Sequence, residues 1–242
     1  RDAAAKRNWH LSKIGLDTFV DPDIDGGKLN EVTTEELVKK VSIEGEEFLA
    51  YKTIYPDVAI LKGTYADENG NISFEDEPLV LEAISMAMAT SNNGGKVIVQ
   101  VKEQRPAGTL DPKSIVVPGV CVDYVVVATD MKNHQQTFDT LYNEEFVSAG
   151  IVERDENADL TPLTAKKIIA RRAAMFLNPE TDHVVNYGIG VPEVVAQVLS
   201  EEGQEEYFTP TVEPGIFGGT PQGGLDFGCA AFPEAIIQQG DM

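Results

Sequence analysis

The stretch "DHVVNYGIGVPEVVAQVLSEEGQEEYFTPTV", residues 182–212, sets the fold class. Its two ends, 182–188 and 206–212, are short apolar runs rich in β-branched and aromatic residues, the pattern of strands buried on both faces. Between them, "VPEVVAQVLSEEG" reads as a helix with Pro192 in its first turn and Gly203 as its stop. Proline's fixed φ and missing N–H suit a first turn, and glycine accepts the left-handed backbone past a last one. Strand, glycine turn, helix and strand in that order predict a crossover unit of an α/β protein, in which helices cover a mostly parallel sheet.

The same alternation extends toward the N-terminus. "VAILKGTY" (58–65), "KVIVQV" (96–101) and "DYVVVAT" (123–129) read as further buried strands. "EPLVLEAISMAMATSNNGG" reads as a helix ending at Gly94-Gly95, and "TTEELVKKV" (33–41) as a helix opened by a capping box of Thr33 and Glu36. "TPLTAKKIIARRAAMFLN" (161–178) reads as a helix with Ile169, Ala173, Phe176 and Leu177 on one face and Lys167 and Arg171 on the other. Asn69-Gly70 in "ADENGNISF" is a hairpin turn signal. The acidic stretch 143–162 lacks apolar periodicity and reads as a linker, with a boundary near residue 155. The expected organisation is therefore a domain over 1–155 and the start of a second over 156–242, which breaks off with too few strands to close. The chain starts at Arg1 rather than a methionine and stops straight after a predicted helix, so both ends read as cut from something longer.

Forty acidic residues against 19 basic ones give the 242-residue chain a formal charge of −21. That balance argues against nucleic acid or an anionic membrane as partner, since both require basic patches. No apolar run approaches the length of a membrane span and no signal peptide is visible. Two separated cysteines, Cys121 and Cys229, read as buried thiols of a reducing cytosol, hence a cytoplasmic protein. His10, His134 and His183 are unclustered, so no metal site is expected. Lys166, Lys167, Arg171 and Arg172 form the densest basic cluster, either a solvated helix face or a contact for a ligand phosphate. The turn-rich loops 13–30 and 108–112 read as ordered connections that line a pocket.

Two stretches carry candidate chemistry. Gly188-x-Gly190 joins a predicted strand to a helix N-terminus, where free amides and the positive end of the dipole favour an anion. Tight strand–helix packing explains the same glycines, and both readings stay open. In "TVEPGIFGGTPQGGLDFG" (211–228), one carboxylate, Glu213, stands at the carboxyl end of a strand and is followed by six glycines. Ligands of open α/β sheets bind at that edge. Glu213 is a candidate nucleophile or base, or an acid that merely caps a turn. Gly215, Gly218, Gly219, Gly223 and Gly224 supply amides and remove side-chain bulk.

"VEPGIFGGTPQGGLDFG" resembles the active-site segment of class I (family I) coenzyme A transferases, of the fused-chain acetate/propionate type. The segments "IGLDTFVDPDIDGGKLN", "LKGTYADENGNISFE", "VIVQVKEQRPAGTLDPKSIVVPG", "HQQTFDT" and "VVNYGIGVPEVVAQVLSEEG" agree in order, so the resemblance covers essentially the whole chain. It implies parts of two homologous open-sheet domains, with the active site at their junction. It also implies transfer of CoA between a short-chain acyl-CoA and a carboxylic acid. Glu213 is then the nucleophile, carrying a glutamyl-CoA thioester through a ping-pong cycle. Gly218, Gly219, Gly223 and Gly224 would form the loop where CoA and acyl group approach. No metal or redox cofactor is implied, CoA being a substrate, and homo-oligomers, dimers or tetramers, are expected. The family usually has glycine at Asp17 and a basic residue at Asp23, on a loop expected near the acyl pocket. Its N-terminal glycine-rich loop should precede Arg1 and most of the catalytic half should follow Met242. The alternatives are an acyl-CoA hydrolase using the same glutamate, a sugar-phosphate isomerase or effector-binding regulator of the same fold, and a non-catalytic part of it.

Overall fold

A computed structural model describes residues 1–150 and 160–237. The chain forms two compact units, the first made of Arg1–Ile60, Ile84–Ile98 and Cys121–Asp123 and the second of the remainder. The boundary expected near residue 155 lies outside the described residues.

In the first unit, β1 (Trp9–Ser12), β2 (Val38–Ile43) and β3 (Glu46–Lys52) form an antiparallel sheet in the order β1-β3-β2. The β2–β3 hairpin turns on Glu44 and Gly45, at φ 52° and 86°, the left-handed pair that a two-residue loop needs. The helix expected over 33–41 does not form. Asn30 Oδ1 accepts the N–H groups of Val32 and Thr33 and so shapes a turn there, and Val38 to Ile43 pair with β3 over six residues. An isolated turn of helix is marginal, and the β-branched Val38, Val41 and Ile43 gain more from cross-strand partners.

A five-stranded sheet has the order β7-β5-β4-β6-β8, with β4 at Val58–Asp67, β5 at Ile72–Ser73, β6 at Lys96–Arg105, β7 at Ile115–Val117 and β8 at Tyr124–Val127. Val97, Val99 and Val101 of β6 are fully buried, so that face of the strand is core over its first half, before it reaches Glu103 and Arg105. The expected turn at Asn69-Gly70 closes the antiparallel β4–β5 hairpin, with Gly70 at φ 79° and the Asp67 carboxylate accepting the N–H groups of Asn69 and Asn71. β8 runs parallel to β6, since Val97 O accepts from Asp123 N–H and Val101 O from Ala128 N–H, both at 2.9 Å. Helix α1 (Ala83–Asn92) precedes β6, buries Ala83, Ala87 and Thr90 at helical spacing, and stops at Gly94 with φ 80°.

In the second unit, α2 (Ala165–Ala174), β9 (Val184–Asn186), α3 (Glu193–Glu201) and β10 (Thr209–Val212) follow in order, and β9 and β10 are parallel. This is the crossover expected from 182–212, except that 205–207 is a 3₁₀ turn and the second strand starts only at Thr209. Strands β11 (Ile216–Phe217) and β14 (Ala235–Ile236) extend the sheet antiparallel, in the order β14-β11-β10-β9, while β12 (Thr220–Pro221) and β13 (Ala230–Ala231) pair separately. The α/β class stands, with antiparallel hairpins joined to the parallel pairs.

Val194, Val195, Val198 and Leu199 of α3 pack with Ala170, Ala174, Tyr187 and Phe208. Helix α2 presents a different face from the one expected. Thr164 caps it, Lys167, Ala170 and Ala174 are buried, and Ile169 and Phe176 are exposed. Lys167 can take an inward position because its ammonium reaches Glu201 Oε2 at 2.5 Å and Thr161 O at 2.6 Å, which offsets its desolvation. Burial pushes the Glu201 carboxyl up, but the hydrogen bonds from Lys167 and Thr161 outweigh it and hold the group at about 2.

Candidate functional site

The crossover puts the C-terminal ends of β9 and β10 side by side, with Tyr187 N–H donating to Thr211 O at 3.0 Å. Just past those ends lie Gly188 on one strand and Glu213 on the other. A Cβ built on Gly188 would stand 3.8 Å from Glu213 Oε1. The two candidates from separate motifs therefore meet at one sheet edge, the edge where open α/β sheets bind ligands.

Glu213 owes its place to a hairpin. Val212 pairs with Ile216, Gly215 N–H donates back to Val212 O at 3.0 Å, and Gly215 takes φ 96°. Glu213 is thus the first residue of a three-residue loop ending in a left-handed glycine, a common hairpin form. The flanking Val212 and Ile216 are each 1% exposed, anchoring the loop in a core shared with Ala230. Glu213 itself is exposed, and among the described residues no hydrogen bond or ion pair engages its carboxylate.

The glycines fall into two groups. An added Cβ at Gly215 would lie 2.7 Å from Ile237 O, at Gly218 2.7 Å from Glu234 Cβ, and at Gly219 2.7 Å from Phe232 O with Ala231 O closer still. All three have positive φ, from 70° to 96°. These three are required by the chain's own close packing, which sequence alone could not distinguish from ligand approach. Gly190 (φ 95°) and Gly224 (φ 62°) differ, because among the described residues a Cβ on either meets nothing within 4 Å. At Gly223 the added carbon would lie 3.4 Å from the Glu193 carboxylate.

Glu193 is a residue that sequence reasoning missed. It stands in the first turn of α3, where the helix dipole favours a negative charge, and its Oε2 is buried with no hydrogen-bond partner among the described residues. The signal available in the sequence was an acid two residues after Gly-x-Gly-Val, in the first turn of the predicted helix. Gly228 completes the arrangement, since its Cβ would lie 3.1 Å from Pro214 Cγ and the loop end therefore returns to the residue after Glu213.

Three of the four cations of the basic cluster have structural partners, Lys166 being exposed. Lys167 is buried against Glu201, Arg171 pairs with Glu202 at 2.5 Å, and the Arg172 guanidinium lies over the Phe176 ring. Asp17 and Asp23 belong to the first unit. Asp17 takes φ 59°, the left-handed conformation that suits glycine best. Its N–H and that of Asp23 donate to the buried Asp21 carboxylate, holding that carboxyl below the usual range together with Lys40. The Asp23 carboxylate pairs with Lys40 at 2.7 Å, so its charge is matched locally. Cys229 is buried and Cys121 half-buried, as free thiols, and burial first, then the Asp226 charge, pushes Cys229 up to about 11. Among the described residues no helix is long and apolar enough to cross a membrane.

Known proteins resemble this arrangement along its whole length. A family model described as Coenzyme A transferase matches residues 3–128. The chain is 48% identical to caffeate CoA-transferase of Acetobacterium woodii over all of its own length and 46% of that protein's. It is 40% identical to acetate CoA-transferase YdiF of Escherichia coli K12 over 98% of its own length and 44% of that protein's. Two crystal structures of the acyl-CoA transferase YdiF from Escherichia coli O157:H7, an apoenzyme and a thioester complex with CoA, match 99% of this chain and 43% of theirs. Their TM-scores are 0.86 and 0.84, at 37% identity. The chain spans under half the length of these relatives. On this similarity and on the fold, the chain belongs to the coenzyme A transferase family.

Proposed function

We propose that this chain carries the nucleophile and one wall of the site of an enzyme that transfers CoA between an acyl-CoA and a carboxylic acid. The observation that carries this reading is the exposed Glu213 carboxylate, without a partner among the described residues and held by a hairpin beside Gly188 at the ligand edge of the sheet.

The chemistry suits a carboxylate. Glu213 attacks the thioester carbonyl, the C–S bond breaks, and a mixed anhydride and CoA thiolate result. The thiolate then attacks the glutamyl carbonyl, expelling the substrate's carboxylate and leaving a glutamyl-CoA thioester. An incoming acid reverses both steps and departs as the new acyl-CoA. Over the whole cycle one thioester and one carboxylate are exchanged for another of each, so the transfer is close to balanced and no metal or redox group is called for. Binding energy from the remote part of CoA lowers the barrier at the reacting carbonyl. Backbone amides around Gly188–Gly190 and Gly223–Gly224 are the chain's available donors for the developing oxyanion. Because the chain resembles a caffeate and an acetate CoA-transferase, acids of that kind are the first acceptors to try.

The test uses the protein expressed at the full length of its gene. Incubation with acetyl-CoA alone should add CoA to the peptide carrying Glu213, detected by mass spectrometry, and Glu213→Gln should abolish both adduct and turnover. Absence of an adduct, with full activity in Glu213→Gln, would refute the covalent reading. Added acetate or caffeate then distinguishes transfer from hydrolysis. Since the chain spans under half of its relatives, the 242-residue chain alone should turn over at most weakly.

A further inference from the structure

We propose that Asp226 is a positioning residue of the transfer site, tying the glycine loop 218–228 to the segment 134–143 through the hydroxyls of Thr137 and Thr140. The proposal rests on Glu213 being the nucleophile.

Asp226 ends the short 3₁₀ turn Gly224–Asp226 and is half-buried. Its two carboxylate oxygens are divided between two donors: Thr137 Oγ1 donates to Oδ1, and Thr140 Oγ1 donates to Oδ2 at 2.9 Å. The threonines flank a tight turn at Phe138-Asp139. Thr137 N–H donates to Thr140 O at 3.1 Å and Gln136 N–H to Leu141 O at 3.0 Å. Residues directly opposite in such a pair project to the same side, which aims both hydroxyls at one acceptor.

The segment holding these threonines is itself fixed. His134 and Gln136 are 5% and 8% exposed, unusual for a polar stretch between elements. Gln100 Nε2 donates to Asn133 O and lies 3.0 Å from His134 Nδ1. The Lys62 ammonium donates to Gln135 O at 2.6 Å, Gln136 Nε2 donates to Asp76 O, and Asn143 N–H donates to Gln136 Oε1. Asp226 thus grips a turn that is secured to β4 and β6.

The loop needs such a grip. Gly223, Gly224 and Leu225 are exposed, and glycine gives the backbone more freedom to lose than any other residue. On the far side the loop is tied by the β12–β13 pairing and by Gln222 N–H to Cys229 O at 2.9 Å, which leave Gly223–Leu225 to the Asp226 side. With Asp226 held, the amides near Gly223 and Gly224 keep a fixed place, and misplacement by about 1 Å costs on the order of a hundredfold in rate.

Asp226→Leu removes both acceptors and Thr140→Val one donor, whereas Thr140→Ser keeps the hydroxyl and serves as the rescue. In the full-length protein, two readouts are taken: amide hydrogen exchange of the peptide covering 218–228, and the single-turnover rate of CoA adduct formation on Glu213 from acetyl-CoA. Asp226→Leu and Thr140→Val should speed exchange in that peptide at least about tenfold and slow adduct formation by about 10- to 100-fold. Thr140→Ser should match the unsubstituted protein in both. Unchanged exchange, or faster exchange with an unaltered adduct rate, overturns the positioning role. If the unsubstituted protein forms no adduct, the nucleophile reading itself falls, an outcome recognised because it appears without any substitution.

Discussion

Gly219 and Gly224 both have left-handed backbones, at φ 70° and 62°, yet the structure assigns them opposite surroundings. In Gly219→Ala the methyl would lie 2.7 Å from Phe232 O, with Ala231 O nearer. Carbon and oxygen settle at about 3.3 Å, so the backbone must open by at least roughly 0.6 Å. The segment that must move includes β13, whose Ala231 pairs with Thr220 beside Gly219. A left-handed alanine costs about 1–2 kcal/mol and overpacking against a fixed backbone adds about 1–3 kcal/mol. In Gly224→Ala the conformational cost applies, but the methyl meets nothing within 4 Å. Urea unfolding of both variants should therefore show Gly219→Ala weakened by about 2–5 kcal/mol and Gly224→Ala by about 1–2 kcal/mol. At about 2–4 °C per kcal/mol for a chain of this size, the difference is also visible in the melting temperature. Equal losses in the two variants would refute the division of the glycines into packing and open positions. If the open space at Gly224 belongs to the substrate, Gly224→Ala should also raise the KM for acyl-CoA while staying folded.

Glu201→Gln should cost about 3–5 kcal/mol in neutral urea melts, because it leaves the buried Lys167 ammonium without its countercharge, Thr161 O being a neutral acceptor. The Glu201 carboxyl is held at about 2, below its unfolded value of 4.5, so its contribution is present above pH 4.5 and is lost as pH falls from there toward 2. Stability measured across that window should therefore fall less steeply in Glu201→Gln than in the unsubstituted protein, and parallel slopes would count against the pair. Asp17→Gly should stabilise the first unit by roughly 0.5–1 kcal/mol, since it relieves a left-handed non-glycine while keeping the N–H to Asp21, and a loss would show that the Asp17 side chain contributes more than its strain.

The parts of the fold that were legible in the sequence are those where local and tertiary preferences agree. Residues 182–212 carry Pro192, Gly203 and an apolar face at helical spacing, and the crossover forms as that pattern demands. Residues 33–41 carried two local signals at once, a capping box and β-branched residues, and cross-strand pairing with β3 decided between them. On α2 the apolar side chains that pattern-reading would bury, Ile169 and Phe176, stay out, because Glu201 one helix away provides a partner for Lys167. That partner is 34 residues distant in the chain, so no window along the sequence contains it. The Gly188 and Glu213 motifs were each visible, but their meeting depends on β9 and β10 being neighbours in parallel.

The division of the glycines bears on how one carboxylate could serve the two-partner reaction proposed above. As the nucleophile proposed above, Glu213 would receive an acyl group and then CoA, so the space around it has to be open while its own backbone stays put. Gly215, Gly218 and Gly219 meet the second demand, letting the chain after Glu213 fold back against 231–237 at distances no side chain permits. Gly190 bears on the first, since it lies two residues from the Gly188 that faces Glu213, and like Gly224 it leaves side-chain space unfilled among the described residues. A loop glycine-rich for ligand approach alone would be floppy, and one glycine-rich for packing alone would be closed. The sequence around Glu213 combines the two kinds, and the side-chain grip on Asp226 falls within the open portion, where the backbone has least packing to hold it.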